Sequence, residues 1–243
     1  MDRAAASRTA HGDLVFYNPL SEESLGEAIG LLALEPGARV LDVACGRAEM
    51  LIRIAERWDV RGEGYDLDEA LIEAGRAEAG RRGVEADLRA ADEPGEGPFD
   101  LAVCIASSHA LGGFPAALAA LRDLVRPGGQ VLLGEGYWSR EPSSEYLDAL
   151  GGTRDELADY PGLMAAAADA GLTPVYAAVS DPRDWDRYEW TLILNAERWA
   201  DRNAGDPGAA VLRERAAGAR ARYTMPGGRD TLGFALVLLR RDP

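Results

Sequence analysis

The sequence predicts an α/β protein built on a doubly wound, mostly parallel seven-stranded sheet with an antiparallel last strand and helical insertions. Three observations carry that expectation. Residues 39–66, RVLDVACGRAEMLIRIAERWDVRGEGYD, read as a strand, a turn of small residues, a helix and a second strand. Apolar runs such as FDLAVCIA then alternate with segments of helical period, as strands covered on both faces should. The last apolar run, residues 232–239, has no helix behind it.

Each element has its own local cause. The first 20 residues hold no regular period and end in VFYNPL, where Phe16 and Tyr17 either anchor an arm to the core or close over a ligand. Ser21 can cap a helix that repeats Leu25, Ile29 and Leu32 on one face until Pro36 and Gly37 stop it. Val40, Leu41 and Val43 make the first strand; the turn 44–48 opens a helix carrying Met50, Leu51, Ile54 and Ala55. The second strand ends on Asp66, twenty residues beyond Gly46. Small residues let backbone approach a ligand, and an acid at that spacing can accept from two ribose hydroxyls, so the unit reads as nucleoside-binding.

A helix over 68–82, stopped by Gly83, leads to a strand at 84–90 in which Glu85, Asp87 and Arg89 alternate, the pattern of a half-wet edge. The strand 99–106 runs into SSHALGG, which places His109 outside the carboxyl end of a central strand, where open α/β sheets hold ligands. His109 is there either a proton acceptor or a solvated structural residue. The helix 115–125 and an RPGGQ turn deliver a fifth strand at 131–133 that ends in GEGYW. Glu135, Tyr137 and Trp138 thus share the same rim, with Glu135 either a base or the partner of an arginine. Short helical segments over 139–171, a strand at 172–179, a helix carrying Trp185, Tyr188 and Trp199, and a helix over 207–222 complete the chain. We expect one domain over 1–243, with an N-terminal arm and helix at 1–38 and insertions at 136–171 and 181–225 forming a lid over an acceptor.

Composition narrows the chemistry. The net charge is −15, from 41 acidic and 26 basic residues, which argues against a nucleic-acid partner. All 26 basic residues are arginine, so Schiff-base chemistry and a Walker A loop are excluded. Cys45 and Cys104 are the only cysteines and cannot assemble a thiolate zinc cluster; no metal is expected. No apolar run of membrane-spanning length and no signal-peptide pattern appears, so a soluble, cytoplasmic protein without membrane partners is expected.

Spacing also discriminates between nucleosides. A dinucleotide fingerprint needs glycine at the positions held here by Ala44, Gly46 and Glu49, and Glu49 would point a negative charge at a pyrophosphate. The acidic-x-Gly-x-Gly-x-Gly pattern fits better, through Asp42, Ala44, Gly46 and Ala48, with two alanines in place of glycine. That pattern, with GYDLDEAL, FDLAVCIASSHALGG, LVRPGGQVLLGEGYW, YPGLMAAAADAGL and DWDRYEW, resembles the class I S-adenosylmethionine-dependent methyltransferases, Rossmann-like in fold, over residues 21–240. The resemblance implies S-adenosyl-L-methionine as cofactor, with Asp42 near its ammonium. It places Ala44, Cys45, Gly46 and Arg47 against the methionine part, Asp66 on the ribose and Leu67 on the adenine. Ala90, Ala91 and Asp92 would flank the adenine, and Ile105 and Ala106 would line the methyl-donor side. A methyl group at Ala44 is tolerable only if φ stays negative.

The Asn/Asp-Pro-Pro-Tyr tetrad of amide and base-amine methylation is absent; 106–109 read Ala-Ser-Ser-His. A small-molecule acceptor, methylated on oxygen or nitrogen, is therefore expected, with His109 as base and Glu135 as its competitor. Tyr17, Tyr137, Trp138, Trp185 and Tyr188 are the expected acceptor contacts. Cyclisation or elimination at the sulfonium, and a silent partner subunit, are the alternatives.

Overall fold

The computed structural model describes residues 1–12 and 14–243 and falls into two compact units. One, the sheet unit, comprises 22–136, 160–179 and 234–243; the other, the helical unit, comprises 1–21, 137–159 and 180–233.

The sheet has seven strands: β1 (Ala38–Val43), β2 (Val60–Asp66), β3 (Ala86–Ala90), β4 (Phe99–Ile105), β5 (Val125–Trp138), β6 (Leu172–Val179) and β7 (Leu232–Arg241). Their order is β3-β2-β1-β4-β5-β7-β6. Pairing is parallel from β3 through β5, and β6 and β7 are antiparallel, as the alternation of elements predicts. Central β1 and β4 carry the driest side chains, Leu41, Phe99 and Leu101 among them, while β3 at the edge buries only Leu88. α3 (Glu49–Arg57) buries Leu51, Ile52 and Ile54, and α4 (Glu69–Arg82) is capped by the Asp68 carboxylate and ended by Gly83 in the left-handed conformation. α2 (Glu22–Gly30), α5 (Ala116–Leu124) and α7 (Tyr160–Asp169) complete this unit.

β5 departs from expectation. It starts at Val125, six residues early, and includes the RPGG segment. Its register on β4 jumps from Val125 opposite Phe99 to Gln130 opposite Leu101, so a bulge absorbs Pro127, Gly128 and Gly129 where a turn was expected.

The helical unit packs α8 (Pro182–Arg202) on α9 (Gly208–Thr224), with α1 (Arg3–His11) against both and α6 (Ser144–Leu150) on α9. Its core is mostly alanine: Ala6, Ala10, Ala196, Ala200, Ala209 and Ala216 around Ile193 and Leu212. That composition explains why α1 escapes a period search. Its packed face is made of methyl groups, and its start is fixed by Asp2, whose carboxylate accepts from the Ala5 amide at 2.7 Å. α1 belongs to the helical unit, whereas α7 packs along β6 in the sheet unit.

Candidate cofactor and transfer site

The parallel register aligns the carboxyl ends of five strands. Val43 lies opposite Tyr65, Asp66 opposite Ala90, and Ile105 opposite Gly134. Asp42, Asp66, Ala90 to Asp92, Ile105, Ala106 and Glu135 therefore sit along one rim. The loop after β1 is tied there by backbone: the Cys45 amide donates to the Tyr65 carbonyl at 2.9 Å and the Gly46 amide to Asp66 Oδ2 at 2.8 Å. Asp66 Oδ1 accepts from the Asp68 amide at 2.8 Å. Each carboxylate oxygen thus keeps a lone pair for a further donor while its orientation is fixed.

Ala44 does not stay at negative φ. It lies at +48°, Ala48 at +57° and Ala106 at +58°, all left-handed, and Gly46 between the first two at +56°. Left-handed geometry costs an L-residue about 1–2 kcal/mol, and glycine gives back about half of that through its greater unfolded-state entropy. At Ala48, fully buried, losing a methyl costs about 0.8 kcal/mol and cancels the gain. Ala106 is exposed, so Ala106→Gly is expected to stabilise by about 0.5–1 kcal/mol, raising Tm by about 2 °C, with Ala48→Gly close to neutral. Thermal melts of the two variants check this; a lower Tm for Ala106→Gly counts against it.

Asp42 is buried, and desolvation, helped by the negative charge of Asp66, pushes its carboxyl up to about 8 against the opposing Leu51 amide. An acid whose folded pKa is raised stabilises the fold below its unfolded pKa, about 3.9, and loses that contribution as pH climbs through the folded value. Stability of the free protein should accordingly fall between about pH 4 and 8 through this group. A bound cation beside Asp42 would favour the ionised form. Binding of S-adenosylhomocysteine at pH 7 should then release close to one proton, read by calorimetry in buffers of different ionisation heat, and Asp42→Asn should abolish the release. Buffer-independent heats would remove Asp42 from the ammonium site.

Other rim residues divide by environment. Leu67 is 78% exposed, a large apolar side chain left in solvent at the end of β2. Ala90 and Asp92 are exposed beside it, and the Ala91 amide donates to the Asp66 carbonyl at 3.0 Å. Ile105 lies across Gly134, where a Cβ would come within 2.6 Å of it, and the Ala106 amide donates to the Gly134 carbonyl at 2.8 Å. A Cβ on Gly75 would meet the Arg47 carbonyl at 2.9 Å, so this glycine lets α4 press against the loop. Cys45 Sγ fills the space beside Gly64; both cysteines are free, with thiols pushed up by burial. Glu49 does not point at the loop unpaired: Arg53 Nε and Arg82 Nη1 donate to its Oε1 at 2.6 and 2.9 Å.

Glu135 is buried to 6% exposure at the end of β5. Its Oε1 accepts from the Gly136 amide at 3.0 Å, while Oε2 has no partner among the described residues. Desolvation raises its pKa; the Ser108 hydroxyl, the Gly136 amide and the charge of His109 pull the other way. His109 itself is exposed, on a 3-10 turn (Ser108–Leu111). The preceding Ser107 joins β4 to β1, its hydroxyl donating to the Val43 carbonyl at 3.1 Å. Sequence reading places His109 and Glu135 on this rim but assigns nothing to Ser107 and Ser108, which carry no spacing signal.

The five aromatics expected at the acceptor all lie in the helical unit. Trp138 is buried, and its indole N–H donates to the Arg154 carbonyl at 2.8 Å. Tyr137 packs flat against Gly233, where a Cβ would lie 2.3 Å from its Cζ. Trp185 is buried with an indole N–H that meets no acceptor among the described residues, edge-on to Tyr188. His11, which sequence reading passes over, stacks on Tyr17 with ring centroids 3.9 Å apart and has Nε2 3.0 Å from the Tyr188 hydroxyl. Its Nδ1 lies 2.8 Å from the Ser7 carbonyl, and burial lowers its pKa.

A ligand with a cationic amino-acid head, a ribose diol and a flat base answers the features of the rim: the desolvated acid Asp42, the anchored carboxylate of Asp66 and the exposed Leu67. Residues 21–199 match the family model described as a methyltransferase domain; the chain belongs to that family and is a class I S-adenosylmethionine-dependent methyltransferase. It is 30% identical over 230 residues to the uncharacterized protein YjhP of Escherichia coli K12, covering 92% of each chain. Two solved S-adenosylmethionine-dependent methyltransferases, each in complex with S-adenosyl-L-homocysteine, are also similar. The one from Geobacter sulfurreducens is 26% identical, with a TM-score of 0.88 over 97% of both chains. The one from Thiobacillus denitrificans is 28% identical, with a TM-score of 0.87 over 98% of both. The cofactor is S-adenosyl-L-methionine. Among the described residues, no helix is long and apolar enough to cross a membrane.

Proposed function

We propose that the protein methylates an oxygen or nitrogen of a small-molecule acceptor, with Glu135 as the base. The observation that carries this reading is the Glu135 carboxylate: buried, fixed through Oε1 and open at Oε2. When bound, the cofactor supplies a methyl group on a sulfonium whose departure needs little acid assistance. What remains for the chain is alignment and removal of one proton from the acceptor. Ser108 and Gly136 hold the carboxylate in place, burial makes it more basic than a solvated one, and Oε2 takes the proton from an acceptor O–H or N–H. His109, exposed on the same rim, supports the ionised form of Glu135 through its charge. Asp42, Asp66 and the 44–47 loop hold the cofactor, with Leu67, Ala90, Ala91 and Asp92 around the adenine and Ile105 and Ala106 on the methyl side.

Among the aromatics of the helical unit, Trp185 is the one we assign first to acceptor recognition, because its buried N–H seeks an acceptor. Tyr17 and Tyr188, which share contacts with His11, and Tyr137 and Trp138 are the further candidates. The net charge of −15 favours a neutral or cationic acceptor over nucleic acid. Incubation with a methyl-labelled donor and a panel of phenols, alcohols and amines tests the proposal. Label should move to the small-molecule fraction with S-adenosylhomocysteine formed in equal amount. Label in RNA or protein, or donor turnover without S-adenosylhomocysteine, would overturn it.

A further inference from the structure

A cavity of about 280 Å³ lies wholly within the helical unit, between α1, α6, α8 and α9. It shares no residue with the cofactor or transfer site. Its body is aliphatic: Leu192, Ile193, Ala196, Ala216 and Ala219, with no hydroxyl or amide side chain in the lining. Three charged residues complete the wall, Glu189, Arg215 and Arg222.

These charges do not cancel. Glu189 is buried to 7% exposure and takes both its bonds from one nitrogen, Arg222 Nη2, at 3.2 and 3.3 Å. That leaves the Nε and Nη1 donors of Arg222 outside the pair. Arg215 makes no ion pair or hydrogen bond among the described residues. The cavity therefore carries one surplus positive charge, in a chain whose formal charge is −15. An arginine fork prefers a planar oxyanion, and the buried Glu189 in the wall repels a second negative charge, so a monoanion is favoured over a phosphate. The volume lies just below the range of about 300–1,000 Å³ for drug-sized pockets, which suits a ligand of only a few carbons.

We infer that this cavity is a binding site for a small aliphatic carboxylate, its head on Arg215 and the free edge of Arg222 and its chain on the α8 and α9 methyl groups. The positive charge of Arg215 also reaches His11, Tyr188 and Glu189, so neutralising it changes the field at the His11 ring.

Hexanoate, with hexanol and hexylamine as chain-matched controls, tests the site on the full chain in the absence of any methyl donor. The outcome is thereby independent of the transfer reading. Hexanoate should bind saturably with a Kd of about 1 mM or tighter, and the alcohol and amine at least about tenfold more weakly. Arg215→Gln, at an exposed and unpaired position, should keep the fold and weaken hexanoate by about tenfold. Ala219→Leu, which fills the cavity, should weaken hexanoate and hexanol alike. Of the two histidine ring signals, hexanoate should move that of His11 and leave that of His109 in place. No saturation by about 50 mM, equal affinity for hexanol, or unchanged affinity in Arg215→Gln would each overturn the assignment.

Discussion

Asp66→Ala is expected to weaken S-adenosylhomocysteine by about 1.5–3 kcal/mol, roughly 10- to 150-fold, because a charged acceptor loses two hydroxyl partners. The structure adds a second component. Asp66 Oδ2 holds the Gly46 amide and Oδ1 the Asp68 amide, so alanine also releases the turn after β1. Asp66→Asn separates the two effects, since its carbonyl keeps one amide while the charge is gone. Its loss should fall short of that of alanine. Calorimetry with S-adenosylhomocysteine measures both variants, and NAD should give no binding heat with any of them. Unchanged affinity in Asp66→Ala would place the ribose elsewhere.

The part of this site that can be read from sequence is the part made by strands. Parallel pairing of β2, β1, β4 and β5 brings their carboxyl ends together, so Asp42, Asp66, Ile105 and Glu135 are legible as one rim from the order of apolar strands. Backbone dihedrals are not legible in composition or spacing. Alanine at 44 suggests negative φ, yet residues 44, 46 and 48 are all left-handed. The helical unit was hidden for another reason: α1 packs through Ala6 and Ala10, which carry no hydrophobic period large enough to detect. His11 went with it, because a histidine at the end of an unseen helix has no visible neighbour. The RPGG segment reads as a turn by composition, and only pairing on β4 makes it a bulge within β5.

Glu135→Gln is expected to lower kcat by about 10² to 10⁴ once an acceptor is in hand, with S-adenosylhomocysteine affinity retained. The substitution keeps size and removes basicity, and a side chain whose pKa burial already raises loses little stability on becoming neutral. The wild-type rate should rise with pH as Glu135 ionises, at a pH above the ordinary glutamate range of about 4.3. His109→Ala should behave differently. It removes a positive charge that favours the carboxylate, so the same rise should move to higher pH, while the plateau kcat falls by less than about tenfold. Two pH profiles therefore distinguish the two candidates on this rim. If Glu135→Gln keeps its kcat and its profile while His109→Ala loses about 10² or more, the exposed histidine is the base and Glu135 only a buried acid beside it. If neither variant changes the rate, the acceptor reaches the site already deprotonated, and alignment alone carries the transfer.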